Sequence, residues 1–123
     1  MITVLLVNNE AIVREGLRMR LALERDITIA GEASTGAEAL EQVQRLQPDI
    51  VLMELTLPDT DGLAAIAALR ATHSESAVVI LSLHDDATIR ARAQAAGAAA
   101  FVGKHEGVKT VLTVIRHVAQ RGR

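Results

Sequence analysis

The chain contains no cysteine, no tryptophan, no tyrosine and one phenylalanine, Phe101. Without thiols there is no disulfide framework, no thiol nucleophile and no cysteine-ligated zinc. Without aromatics, the 50% of residues that are hydrophobic must build a core of Ala, Val, Ile and Leu. Such a core suits a sheet covered by helices, where small Ala faces let helices pack close. A surplus of positive charge is also missing. The formal net charge of −2 offers no footprint for nucleic acid or anionic membrane. No apolar run approaches the length of a membrane span. The segment from Met1 to Val7 is apolar but has no basic lead and runs into Asn8-Asn9-Glu10, so it reads as a strand and not as a signal peptide. A soluble cytoplasmic chain is the expectation.

What is present is an alternation of two patterns. Short, nearly continuous apolar runs occur at Thr3–Val7, Ile27–Ala30, Ile50–Met53, Ala77–Leu81 and Ala99–Val102. Runs of this length fit strands buried on both faces, as in parallel sheets. Between them lie helical spacings. Val13, Leu17 and Leu21 form one stripe, with Arg14, Arg18 and Glu24 elsewhere on the surface; Leu40, Val43 and Leu46 form a second. Thr35 and Glu38 match a capping box, and Pro48 stops that helix. Ile66 and Leu69 mark a third helix with Asp61 as N-cap. Residues 87–96 form an Ala-rich fourth, and Val108, Leu112 and Ile115 mark a fifth. The 123 residues suffice for one domain. Five strands alternating with five helices predict a (βα)5 chain, with helices on both faces of one parallel sheet.

In open parallel sheets, ligands sit beyond the carboxyl ends of the strands, where strand order reverses. The residues there are Asn8, Asn9 and Glu10 after strand one, Glu54 after strand three, Ser82 after strand four and Lys104 after strand five.

Over its whole length the chain resembles the receiver domains of bacterial two-component response regulators, most of all the subfamily carrying a LuxR-type helix-turn-helix. The matching stretches are Val4-Leu5-Leu6-Val7, Ala11-Ile12-Val13-Arg14-Glu15-Gly16-Leu17, Gly31-Glu32-Ala33, Pro48-Asp49-Ile50-Val51-Leu52-Met53, Leu57-Pro58-Asp59-Thr60-Asp61-Gly62 and Gly103-Lys104. The resemblance implies a three-layer, flavodoxin-like α/β fold with a five-stranded parallel sheet of order 2-1-3-4-5. It implies one receiver domain over 1–123, any output domain following residue 123. The tail Arg121-Gly122-Arg123 is then either a natural end or the start of a linker.

In this family an aspartate ending strand three accepts a phosphoryl group. Two acids after strand one and a backbone carbonyl two residues past the acceptor, here that of Thr56, hold Mg²⁺. A Ser or Thr on strand four and a Lys on strand five contact the phosphoryl oxygens. That arrangement supplies a positioned nucleophile and positive charge around the oxygens. This chain keeps Ser82 and Lys104. Asn8 and Asn9 stand at the acid positions, Glu54 at the acceptor and Glu10 at the usual His. Magnesium takes oxygen ligands, usually with one or two carboxylates. Removing two anions costs roughly 4 kcal/mol of attraction each at an effective dielectric near 20, so no metal or other cofactor is expected. Glu54 is also one methylene too long, by roughly 1–1.5 Å, a misplacement of the size that costs about 10²-fold in rate.

The reading is an atypical receiver with no intact catalytic chemistry, in which Glu54 partly imitates the phosphorylated acceptor by reaching Lys104 and Ser82 while Asn8 and Asn9 donate amide N–H groups to it. Its rivals are a phosphorelay receiver still weakly phosphorylated on Glu54, a relic pocket, a stand-alone interaction adaptor and a small flavodoxin-like cofactor binder. The resemblance implies transcription regulation through a DNA-binding domain absent here, and protein partners such as a histidine kinase or another regulator, with homodimerisation open. No nucleic acid or membrane is expected to bind this domain itself.

Phe101 falls where the family places a switch aromatic; a plain core Phe is the alternative. Gly31 and Gly36 have Walker-A spacing, but Ala37-Glu38 replaces the required Lys-Ser/Thr. His84-Asp85-Asp86 and His105-Glu106 read as solvated rim residues, Asp85 as the N-cap of helix four, and Lys109, Arg116, His117 and Arg121 as a solvated face or partner surface.

Overall fold

The computed structural model describes residues 1–72 and 75–121; Gly122 and Arg123 of the basic tail lie outside them. The elements are β1 Ile2–Val7, α1 Ala11–Leu21, β2 Ile27–Ala33, α2 Gly36–Leu46, β3 Ile50–Met53, α3 Gly62–Ala71, β4 Ala77–Ser82, α4 Ala87–Ala96, β5 Ala100–Gly103, a 3-10 turn Lys104–Glu106, and α5 Val108–Arg121. All strand pairs are parallel and the sheet order is β2-β1-β3-β4-β5. This is the architecture anticipated above. β3 and α4 fall on the predicted boundaries. β2 runs three residues further than the apolar run, past a register shift opposite Val4 and Leu5.

Side-chain alternation along the strands splits the core in two. Leu5, Val7, Val51, Met53, Val78 and Ile80 face Ala39, Val43, Ala65, Ile66, Leu69 and Ala93 of α2, α3 and α4. Val4, Leu6, Ile50, Leu52, Val79 and Leu81 face Leu21, Val111, Leu112, Ile115 and Val118 of α1 and α5. β1 and β3 are adjacent while β2 lies on the far side of β1. Their carboxyl ends therefore open a crevice at the order reversal, where the sequence places Asn8, Asn9 and Glu54.

Local capping follows the sequence in part. Asp61 Oδ1 accepts from Ala64 N at 2.7 Å and caps α3. Thr35 Oγ1 accepts from Glu38 N at 3.0 Å, but the Glu38 carboxylate returns to Ser34 instead of the Thr35 amide, so only half of the capping box forms. The N-cap of α4 is Asp86, whose Oδ1 accepts from Ile89 N at 2.8 Å; the assignment to Asp85 is corrected below. Of the basic face of α5, Arg116 is bound by Glu24 and Asp26, and Arg121 reaches the Ala99 carbonyl. Those two arginines are tied to the fold.

Candidate functional site

β1 ends in a turn built around Asn8. Its backbone N–H donates to the Ala33 carbonyl at 3.0 Å, and its side-chain Oδ1 accepts from Glu10 N at 2.8 Å. Arg14, read from sequence as a surface residue, folds back to donate to the Asn8 carbonyl and pairs with Glu32 at 3.2 Å. Its spacing from the core stripe gave no sign of this. Asn8 is buried, whereas Asn9 and Glu10 are exposed at the rim.

Glu54 leaves β3 with its backbone N–H bound to the Val7 carbonyl at 3.1 Å. Its side chain is 11% exposed. One oxygen accepts from Leu55 N at 2.8 Å and the other lies 2.8 Å from Lys104 Nζ. The strand tips thus bring Glu54 and Lys104 into direct contact, as their places in the sequence suggest. Ser82 is buried beside them, but its Oγ accepts from His84 N at 3.0 Å. Among the described residues, no hydrogen bond joins Glu54 to Ser82, Asn8 or Asn9. The amide donation to Glu54 expected from the asparagines is not found; the Asn8 side chain instead closes its own turn by accepting from the Glu10 amide two residues on. An open cleft of about 320 Å³ lies above, lined among others by Asn9, Glu54, Ser82, His84 and Lys104.

This donor set fits a divalent hard cation poorly. Two carboxylates line the cleft, the exposed Glu10 at its rim and Glu54 within, and the Lys104 ammonium already sits on Glu54 at 2.8 Å. Of the two positions where the resemblance expects acids, the Asn8 amide oxygen is committed to a backbone N–H, and Asn9 lines the cleft from its exposed rim.

The turn after β3 is fixed by Gly62, whose N–H donates to the Leu55 carbonyl, and by an antiparallel bridge between Thr56 and Asp61. Asp59 in the same turn binds the Gly36 and Ala37 amides at 2.8 and 3.0 Å. The N-terminus of α2 therefore takes this carboxylate, which those two N–H groups hold below the usual carboxylate range. A contact across twenty-odd residues has no local sequence signal.

The second cluster that sequence reasoning missed centres on Arg90 of α4. It binds Asp85 through two nitrogens at 2.6 and 2.9 Å, Glu106 at 3.0 Å and the Phe101 carbonyl at 3.2 Å. Its guanidinium lies 4.8 Å from the centre of the Phe101 ring. Glu106 also accepts from Gly103 N at 2.7 Å. Asp85 is thus a salt-bridge partner and not a helix cap, and Phe101 is half-buried under a cation. Asp85, His105 and Glu106 do converge, their ligand atoms within 4.8 Å of one another, so these rim residues are not simply solvated: Asp85 and Glu106 hold Arg90, and His105 lies 3.7 Å from Asp85.

The Arg90 hydrogen bond holds the Asp85 carboxyl below the ordinary range, and the Gly103 N–H, then Arg90, does the same for Glu106. A folded-state value below the unfolded one gives stability that is complete above the ordinary carboxylate range and is lost as pH falls through the folded values. The urea midpoint should therefore fall as pH drops below about 4, and Asp59→Asn or Asp85→Asn should flatten that decline. An equal acid slope in both variants and the parent would show that these contacts do not contribute.

Comparison with known proteins agrees with this geometry. The family model described as the response regulator receiver domain matches residues 4–116. A putative transcriptional regulator of Pseudomonas aeruginosa is 36% identical over 116 residues, covering 94% of this chain and 55% of that protein. The response regulator UvrY of Escherichia coli is 32% identical, covering 96% of this chain and 54% of its own length. The chain thus spans about half the length of these curated relatives. Among solved structures, the signal receiver domain of the putative response regulator NarL from Mycobacterium tuberculosis superposes with a TM-score of 0.85 at 32% identity, covering 94% of this chain and 96% of that one. The CheB response regulator domain of Thermotoga maritima reaches 0.89 at 26% identity, covering 98% and 97%. With the sheet order, the crevice at its reversal and the strand-end lysine all in place, the chain belongs to the response regulator receiver family.

Proposed function

We propose that this chain is a receiver module that signals without magnesium-dependent phosphorylation, Glu54 holding the acceptor place with a fixed negative charge. The observation that carries this is the 2.8 Å contact between Glu54 and Lys104: the group that would meet a phosphoryl oxygen already holds a carboxylate. The imitation is partial. A carboxylate offers one charge and two oxygens, against nearly two charges and three oxygens on a phosphoryl group, and Ser82 stays bound to its own loop. The module has no catalytic step of its own in this reading. It acts in the cytoplasm on protein partners, a histidine kinase or another regulator. Relatives about twice as long, named as transcriptional regulators, support an output through a DNA-binding domain outside this chain.

Mass spectrometry after incubation with acetyl phosphate and magnesium is expected to find no added phosphoryl group; a stoichiometric gain on Glu54 would sink the proposal. The imitation itself is tested by Glu54→Gln. Removing the charge should free Lys104 and speed amide exchange in the 3-10 turn after β5 by roughly tenfold. Unchanged exchange would leave the Glu54–Lys104 pair without a switching role.

A further inference from the structure

Arg90 is held by groups from three separate segments. Asp85, in the loop before α4, accepts from its Nε and Nη2; Glu106, in the 3-10 turn, accepts from Nη2; and the Phe101 carbonyl of β5 accepts from Nη1, with the Phe101 ring under the guanidinium. These polar contacts weigh heavily in seating α4, because Ala93 is the one residue of that helix that is buried, with Ile89 and Ala96 half-covered. The Asp85 contact in turn depends on Gly103. That glycine has φ −73°, which any residue adopts, so what it supplies is room. A Cβ there would strike the Asp85 Oδ2 and the His105 imidazole, and the bare backbone lets the carboxylate lie against the end of β5.

The 3-10 turn carries an ion pair at each end. Lys104 opens it and meets Glu54 at 2.8 Å; Glu106 closes it and meets Arg90 at 3.0 Å. One residue separates the two, and the Gly107 N–H returns to the Lys104 carbonyl to close the turn. A turn this tight has no slack, so a shift at Lys104 is carried to Glu106. Ser82, the other polar side chain beside Glu54, is bound to His84 N and stays outside this chain of contacts.

We propose that Arg90 is a latch whose seat depends on the charge of Glu54. The carboxylate holds Lys104, Lys104 sets the turn, and the turn presents Glu106 to Arg90, which keeps the amino half of α4 closed against Phe101. The latch rests on the reading of Glu54 as a fixed charge and extends its effect from the crevice to a helix. With that charge lost, Lys104 is released, Glu106 leaves its place beside Arg90, and the first turn of α4 opens while Ala93 keeps the other half seated.

Phe101 is the sole phenylalanine, so labelling the full chain with 4-fluorophenylalanine gives one fluorine resonance that reads the ring under Arg90. Arg90→Gln should shift that resonance. Glu54→Gln, made at a residue bound to Leu55 N and Lys104, should shift it in the same direction by less and speed amide exchange across residues 90–93 several-fold. Added to Arg90→Gln it should change nothing further, since the two act through one contact; full additivity overturns the latch. Glu106→Gln, at an exposed residue, reaches the same state by a second route, and a fluorine signal unmoved there overturns it too. If Glu54→Gln speeds exchange in the 3-10 turn yet leaves the fluorine signal in place, the latch fails and the fixed-charge reading stands. If the turn itself does not respond, both fail.

Discussion

Asn8→Asp, Asn9→Asp and Glu54→Asp together should raise magnesium affinity by at least about a thousandfold, worth some 4 kcal/mol. Each restored carboxylate within about 4 Å of the ion contributes roughly 4 kcal/mol at an effective dielectric near 20, before the loss of the amide oxygens it replaces is counted. Shortening Glu54 acts in the same direction. The present side chain reaches Lys104 at 2.8 Å, and shortening it by one methylene loosens that pair and leaves the carboxylate free to meet a cation. Asn8→Asp also frees nothing for the solvent to fill, since the side chain is buried against its own turn. The chain has no tryptophan or tyrosine, so calorimetry or amide NMR shifts must report the titration. If the unaltered chain bound magnesium as tightly as the triple variant, the electrostatic account of this crevice would be wrong. Phosphorylation by acetyl phosphate should return along with the metal.

Gly62→Ala should destabilise the protein by about 3 kcal/mol, combining overpacking with a weakened hydrogen bond. An added Cβ would stand 2.6 Å from the Leu55 Cα and 2.7 Å from its carbonyl oxygen. Both are backbone atoms, held by the strand behind them and by the Gly62 N–H bond to that same carbonyl. Nothing flexible is available to give way. The thermal midpoint should fall by roughly 10 °C in a domain of this size, and the turn that carries Thr56 and Asp59 should loosen. Gly16→Ala is the control. It lies mid-helix with open space around it, and there the better helix former should stabilise by about 0.5–1 kcal/mol. Calorimetric unfolding of the two variants decides the matter: similar midpoints would mean that the turn adapts.

How much of this was legible in advance depended on the range of the interaction. Ile50–Met53 could be placed to the residue because a strand buried on both faces has to be apolar at every position. The Ala-rich α4 fell on its expected bounds, and in the structure Gly97 takes the left-handed C-cap (φ 116°) that ends it. Asp61 could be named as a cap from three residues of local sequence. The choice between Asp85 and Asp86 could not. Both precede α4, and what separates them is Arg90, which takes Asp85 into a bidentate pair and leaves Asp86 to the helix. Arg14 looked like surface because helical periodicity says which side a residue starts from, not where a long side chain ends.

The sequence by itself determined the alternation of strands and helices and, through it, the parallel sheet and the strand tips at which a site must lie. It also determined which residue types stand there. These are local matters of side-chain period, cap chemistry and residue type. Tertiary structure alone decided that Glu54 meets Lys104 while Ser82 turns to its own loop, that Asp59 occupies the end of α2, and that Arg90 draws Asp85 and Glu106 together over Phe101. Those outcomes depend on distances between segments that only the folded sheet brings side by side, and ion pairs and hydrogen bonds form or fail within an ångström of reach.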